Sequence, residues 1–175
     1  LPADRVVRIL EQVCAALGEA HQLGVMHRDI KPANIMVYEH MGVTGLVKLL
    51  DFGIAKPTQG MGTSKNDLTS AGMVLGTPRY MAPEQFTGAR AAPTSDIDSL
   101  GLVAYELVTG KMAVDAQTTT GIFRQQLSPD EFKIPRTANI PPGLRSVILR
   151  MTRKTRAERY QTVQDVLADL RNLDQ

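Results

Sequence analysis

The chain has 175 residues, 43% hydrophobic and 22% charged, a length and balance that suit one buried core in a single domain. Twenty Lys plus Arg against eighteen Asp plus Glu leave a formal net charge of +2 with no long run of one sign, which argues against a nucleic-acid binder. The lone Cys14 excludes a disulfide framework and a cysteine-based zinc site, and no stretch reaches the roughly 18 to 20 apolar residues of a membrane span.

From Pro2 to about Gln22, apolar residues recur at Val6, Ile9, Leu10, Val13, Leu17 and Ala20, which predicts an amphipathic helix with Pro2 in its first turn. Cys14 lies on that helix between Val13 and Ala15 and reads as a small packing residue. A loop containing Pro32 then leads to two β-favouring runs, Ile35 to Tyr38 and Val47 to Leu50, and the glycines at 42 and 45 between them predict a hairpin. From Asp51 to Glu84 the chain is rich in Gly, Thr and Ser without a sustained period, and loops of that length are usually functional or disordered. Helical spacing returns at Leu100, Val103, Ala104 and Leu107, with Gly110 placed to end a buried central helix. A weaker stretch covers 121–127, and Leu144, Val147, Ile148 and Met151 mark the next helix. In the last helix Thr162 is the expected N-cap, ahead of inward-facing Val163, Val166, Leu167 and Leu170.

The segment HRDIKPAN, His27 to Asn34, places a carboxylate, an amine and an amide within six positions of one loop. Phosphoryl transfer wants those groups: a carboxylate accepts the proton of an attacking hydroxyl, an ammonium neutralises charge on the moving group, and an amide oxygen helps hold Mg²⁺. Asp51 follows the second β run, so the hairpin returns a second metal-ligating carboxylate beside Asn34.

HRDIKPAN, then DFG at 51–53, then GTPRYMAPE at 76–84, in that order, resemble the signature set of the eukaryotic-type (Hanks-type) protein serine/threonine kinases. DIKPAN and MAPEQ look like the loops of bacterial members, and the resemblance covers nearly the whole chain. It implies Asp29 as catalytic base, Lys31 on the γ-phosphate of ATP, Asn34 and Asp51 holding Mg²⁺ or Mn²⁺, and Met36 beneath the adenine. Lys31 two residues after Asp29, with Thr77 in the peptide-substrate loop, resembles the Ser/Thr pattern, so the implied partners are ATP and protein substrates with Ser or Thr acceptors. Arg28 and Lys56 match the pocket for a phosphorylated activation loop, with Thr69 as the expected phosphorylated residue and Ser70 next, and self-association is expected for autophosphorylation there. His27 and Phe52 are implied to be packing residues. Glu84 and Arg159 match a structural ion pair, and Asp96 matches the aspartate that braces the catalytic loop.

The fold expected from this resemblance is mainly α with a small β hairpin, the C-terminal (large) lobe of the protein kinase-like α+β fold with the N-terminal lobe absent. It is one partial domain over 1–173, with catalytic loop 27–34 and activation segment 51–84. No glycine-rich phosphate loop or strand-borne lysine precedes Leu1, so these residues alone are expected to be inactive. Asp98 in SDIDSLG stands where the family usually has Tyr or Trp, a buried misfit whose replacement by Tyr is expected to raise thermal stability. A non-catalytic, pseudokinase-like binding module is the competing reading. A small-molecule phosphotransferase is a third, disfavoured by the APE segment and Thr77. A cytoplasmic location is expected, with no nucleic-acid partner, no membrane segment here, and any membrane anchor outside these residues.

Overall fold

The computed structural model describes residues 1–52 and 78–173. Its first element, α1 (Ala3–Gln22), buries the stripe Val6, Ile9, Leu10, Val13, Cys14 and Leu17, with Pro2 at the N-cap. Strands β1 (Ile35–His40) and β2 (Val43–Leu49) form an antiparallel hairpin in the register Ile35 to Leu49 and Met36 to Lys48, with an irregularity between Tyr38 and His40. Met41 and Gly42 both have positive φ, +49° and +79°, the two-residue hairpin geometry whose twist matches the strands. Gln12 ties the hairpin to α1: its amide donates to the Gly45 carbonyl at 2.9 Å and accepts from the Val47 N–H at 2.9 Å.

A short α2 (Pro83–Phe86) precedes α3 (Pro93–Thr109), in which every residue from Thr94 to Ala104 is buried. Such a helix is packed all round, so its polar residues need partners inside the protein. Gly110, in the left-handed region at φ +72°, ends it with an N–H bond to the Glu106 carbonyl at 2.8 Å. Helix α4 (Thr119–Leu127) is capped by the Thr118 hydroxyl, α5 (Pro142–Met151) follows, and α6 (Val163–Arg171) is capped by Thr162, whose hydroxyl oxygen accepts the Asp165 N–H at 3.2 Å.

One core joins these parts. Leu10 and Leu17 of α1, Leu100 and Val103 of α3, Leu144 and Ile148 of α5, and Val166 and Leu170 of α6 share it, and Ile35, Val47 and Leu49 of the hairpin pack against it. Helices α3 and α5 approach closely at Gly101, where a Cβ would stand 2.7 Å from Thr152 Cγ2 and 2.8 Å from Met151 Cβ. That crowding explains a glycine in mid-helix despite its intrinsic cost of about 1 kcal/mol. No helix of the described residues is long and apolar enough to cross a membrane.

Candidate active site

Residues 25–31 form neither helix nor strand, and their shape is set by a carboxylate from α3. Asp96, buried in the first turn of that helix, accepts the His27 N–H through Oδ2 at 2.8 Å and the Arg28 N–H through Oδ1 at 2.9 Å. His21 Nε2 makes a third contact with it at 2.7 Å. These bonds hold Arg28 at φ +70°, a left-handed conformation unusual for a residue with a side chain and typical of functional loops.

His27 is fully buried. Its Nδ1 accepts the Asp29 N–H at 3.1 Å, so Nε2 carries the proton and donates to the Leu50 carbonyl at 2.8 Å. With both ring nitrogens engaged it is no proton acceptor, and its ring packs on Phe52 with centroids 4.5 Å apart.

Lys31 Nζ lies 3.6 Å from Asp29 Oδ2, and the Asn34 amide donates to the Asp29 carbonyl at 2.8 Å and to Oδ2 at 3.3 Å. Asn34 sits in the tight turn Pro32–Asn34, buried, and spends its N–H groups on Asp29, which leaves its amide oxygen as an acceptor. The Leu50 N–H bonds the Asn34 carbonyl at 2.9 Å, extending the hairpin ladder by one step and setting Asp51 beside the loop at φ +50°. A carboxylate and an amide oxygen are hard donors of the kind Mg²⁺ takes, and that ion fills its remaining positions with water and phosphate rather than with a closed protein cage. The free amide oxygen of Asn34 and the carboxylate of Asp51 are donors of that kind. Met36, on β1, presents its side chain at 46% exposure.

Opposite the loop, the turn Pro78–Tyr80 brings Tyr80 and Met81 to a small cleft shared with Asp29, Lys31 and Ser99. That platform is anchored from several sides. Glu84 pairs with Arg159 at 2.7 and 3.0 Å and accepts the Ser95 hydroxyl at 2.8 Å. Burial alone would raise the Glu84 carboxyl, but the Arg159 guanidinium, a backbone N–H and Ser95 outweigh it and hold the group below its ordinary range. The Gln85 side chain accepts the Ala82 N–H at 2.8 Å and donates to the Arg28 carbonyl at 3.4 Å, and Gln126 donates to the Met81 carbonyl at 2.6 Å. Tyr80 bonds Glu106 at 2.5 Å, and burial together with that bond pushes its hydroxyl pKa up.

Asp98 is 1% exposed. Its Oδ1 is 3.8 Å from Arg159 Nε, while Oδ2 has no hydrogen-bond partner. Arg159 has no donor left for it, because its N–H groups go to Glu84 and to the carbonyls of Arg153, Thr94 and Lys154. Burial raises the Asp98 carboxyl to about 7; Arg159 and Lys154 pull against this, and Glu84 and Glu131 add to it.

The structure thus brings together Arg28, Asp29, Lys31 and Asn34 on one loop, with Asp51 next in chain to the Leu50–Asn34 backbone bond, His27, Phe52 and Asp96 beneath them and Glu84 with Arg159 behind the platform. Lys56, Thr69, Ser70 and Thr77 lie outside the described residues. His21, Gln85 and Gln126 support the site without any motif to mark them. Their partners stand 75, 57 and 45 positions away in the chain.

A sequence model of the protein kinase domain matches residues 1–169. The chain belongs to the protein kinase family. It is 39% identical to the serine/threonine-protein kinase pkn3 of Myxococcus xanthus over 99% of its own length and 32% of that protein. It is 36% identical to the serine/threonine-protein kinase PrkC of Bacillus subtilis (98% of this chain, 25% of that one) and 36% identical to PknB of Mycolicibacterium smegmatis (95% and 26%). The kinase chain therefore spans about a quarter to a third of the length of these bacterial relatives. Family membership implies ATP and a divalent metal in general.

The match also corrects the expected fold class, a C-terminal lobe only with the N-terminal lobe absent. The kinase-domain model runs over 1–169, strands and helices together, and the hairpin shares its core with α1, α3, α5 and α6. That expectation leans on what precedes Leu1, and the point at which a sequence begins carries no information about domain content.

Proposed function

We propose that this kinase domain transfers the γ-phosphate of ATP to Ser or Thr hydroxyls of proteins. The observation that carries the reading is the Asp29 carboxylate, held within 3.6 Å of Lys31 and 3.3 Å of Asn34 on a loop whose backbone is fixed by Asp96. Asp29 orients the acceptor hydroxyl and takes its proton, and the Lys31 ammonium offsets charge on the transferring phosphoryl group. Asn34 and Asp51 would hold Mg²⁺, which supplies charge neutralisation between the phosphates when bound. The side chain of Met36 would lie against the adenine. Thr77 would face the peptide acceptor, and a phosphate on Thr69, with Ser70 as the neighbouring acceptor, would be read by Arg28 and Lys56.

Transfer of labelled phosphate from ATP to Ser, Thr and Tyr peptides tests this. Asp29→Asn is expected to lower kcat about 10² to 10⁴-fold with ATP binding retained, the range lost with a positioned base. A variant that keeps wild-type turnover, or a wild type that labels only Tyr peptides or small alcohols, would sink the proposal.

A further inference from the structure

The segment between α4 and α5 lines a cleft that shares no residue with the loop at Asp29. Lys133, Ile134 and Arg136 from that segment, with Arg145 and Leu149 from α5, line a cleft of about 350 Å³. Three of these five residues are cations and none is a carboxylate. Arg145 is fixed in place, its terminal nitrogens donating to the carbonyls of Ile134 at 2.6 Å, Pro135 at 3.3 Å and Ala138 at 3.1 Å. Carbonyl partners orient the guanidinium and leave its charge uncompensated. Lys133 and Arg136 make no ion pair among the described residues, although acceptors elsewhere on the surface hold Arg8, Arg153 and Arg171. The floor is apolar: Ile134 is 6% exposed and belongs to the main core, and Leu149 lies one turn after Arg145 on the same face of α5.

Three like charges held around an apolar floor repel one another unless a ligand of opposite sign joins them. The volume is at the low end of the range for ligand sites, room for one large side chain and the backbone on either side of it. A phosphate backbone is tracked by an extended basic groove with stacking aromatics, and this cleft has neither extent nor an aromatic lining residue. We infer that the cleft between the 133–138 segment and α5 is a docking site for an acidic peptide segment, its carboxylates on Lys133 and Arg136, with the fixed charge of Arg145 adding to the attraction and an apolar side chain against Ile134 and Leu149. The site is separate from the loop at Asp29, and its existence does not depend on the phosphotransfer reading.

The test is fluorescence anisotropy of the purified protein with a fluorescein-labelled peptide of sequence ELEELE. Its glutamine counterpart QLQQLQ and a fluorescein-labelled DNA duplex are run beside it. The expected result is saturable binding of ELEELE, weakened about tenfold or more by the pair Lys133→Glu and Arg136→Glu and by raising salt from about 50 to about 300 mM. Reversing Arg5 and Lys48, which lie on α1 and β2, makes the same change in net charge and is expected to weaken binding less than twofold. Both cations of the test pair are exposed, so the fold tolerates their reversal, and Lys133→Met with Arg136→Met gives an intermediate loss. Equal affinity for ELEELE and QLQQLQ, equal loss from the two charge reversals, or binding of the duplex in place of the peptide overturns the proposal.

Discussion

Replacing Asp98 by Asn changes almost nothing but the ability to ionise, and Asp98 is where ionisation works against the fold. Its carboxyl is raised from 3.8 to about 7 by burial, with Glu84 and Glu131 adding to the effect and Arg159 and Lys154 opposing it. Between pH 4 and 7 the unfolded chain releases this proton while the folded protein keeps it, so stability falls as pH rises through that window and stays lowered above it. Three units at 1.36 kcal/mol each put the loss on the order of 4 kcal/mol, which corresponds to roughly 8 to 16 °C in Tm for a domain of this size. Urea denaturation of both proteins at several pH values from 5 to 8 measures it. The Asn variant is expected to be the more stable at pH 8, with the advantage shrinking steadily toward pH 5. A difference that does not vary with pH, or a less stable Asn variant at pH 8, would refute the reasoning. Asp98→Tyr, suggested by the motif alone, changes volume and charge together, and Asn separates the two.

Three further outcomes follow from the packing. Gly101→Ala is expected to destabilise by about 1 to 3 kcal/mol in thermal or chemical unfolding, because its Cβ meets Thr152 and Met151 at 2.7 and 2.8 Å and both helices must shift. Arg159→Met strands the buried Glu84 carboxylate at a cost of about 3 to 5 kcal/mol near neutral pH. The wild-type advantage should narrow as pH falls below 4.5, because the contribution of a depressed carboxyl is present above its unfolded value and lost on its protonation. The Cys14 thiol is pushed up to about 12 by burial and, to a lesser degree, by Glu11, so iodoacetamide should leave the native protein unlabelled and react only in denaturant.

Elements with a strong period were legible from sequence to within a residue or two, as at α1 and at the Thr162 cap of α6. The hairpin was less so. Gly45 reads as a separator between strands, yet it lies inside β2 at φ +75°, because the tight turn at Met41 and Gly42 lets pairing resume at Val43. Helix α2 lies in a stretch without periodicity, and its start depends on Pro83 and on the Gln85 side chain closing back on Ala82. At the site, the closeness of Asp29, Lys31 and Asn34 follows from their lying within one contiguous motif. Asp98 was visible as the wrong residue type for its motif, but its neighbourhood was not, since Arg159 and Lys154 reach it only after the late segments pack. His21 shows the same limit: nothing local to residue 21 tells that its ring meets a carboxylate on α3.

The Glu84–Arg159 pair has a consequence for how the protein is made. Its two halves are 75 positions apart, and Arg159 also gathers the carbonyls of Thr94, Arg153 and Lys154. At about 5 to 20 residues per second, a ribosome that has just added Glu84 needs roughly 4 to 15 s to reach Arg159. During that interval Glu84 lacks the Arg159 guanidinium, and of the bonds that anchor the segment after Met81 only those to earlier residues, such as the Ser95 hydroxyl and the Arg28 carbonyl, can form.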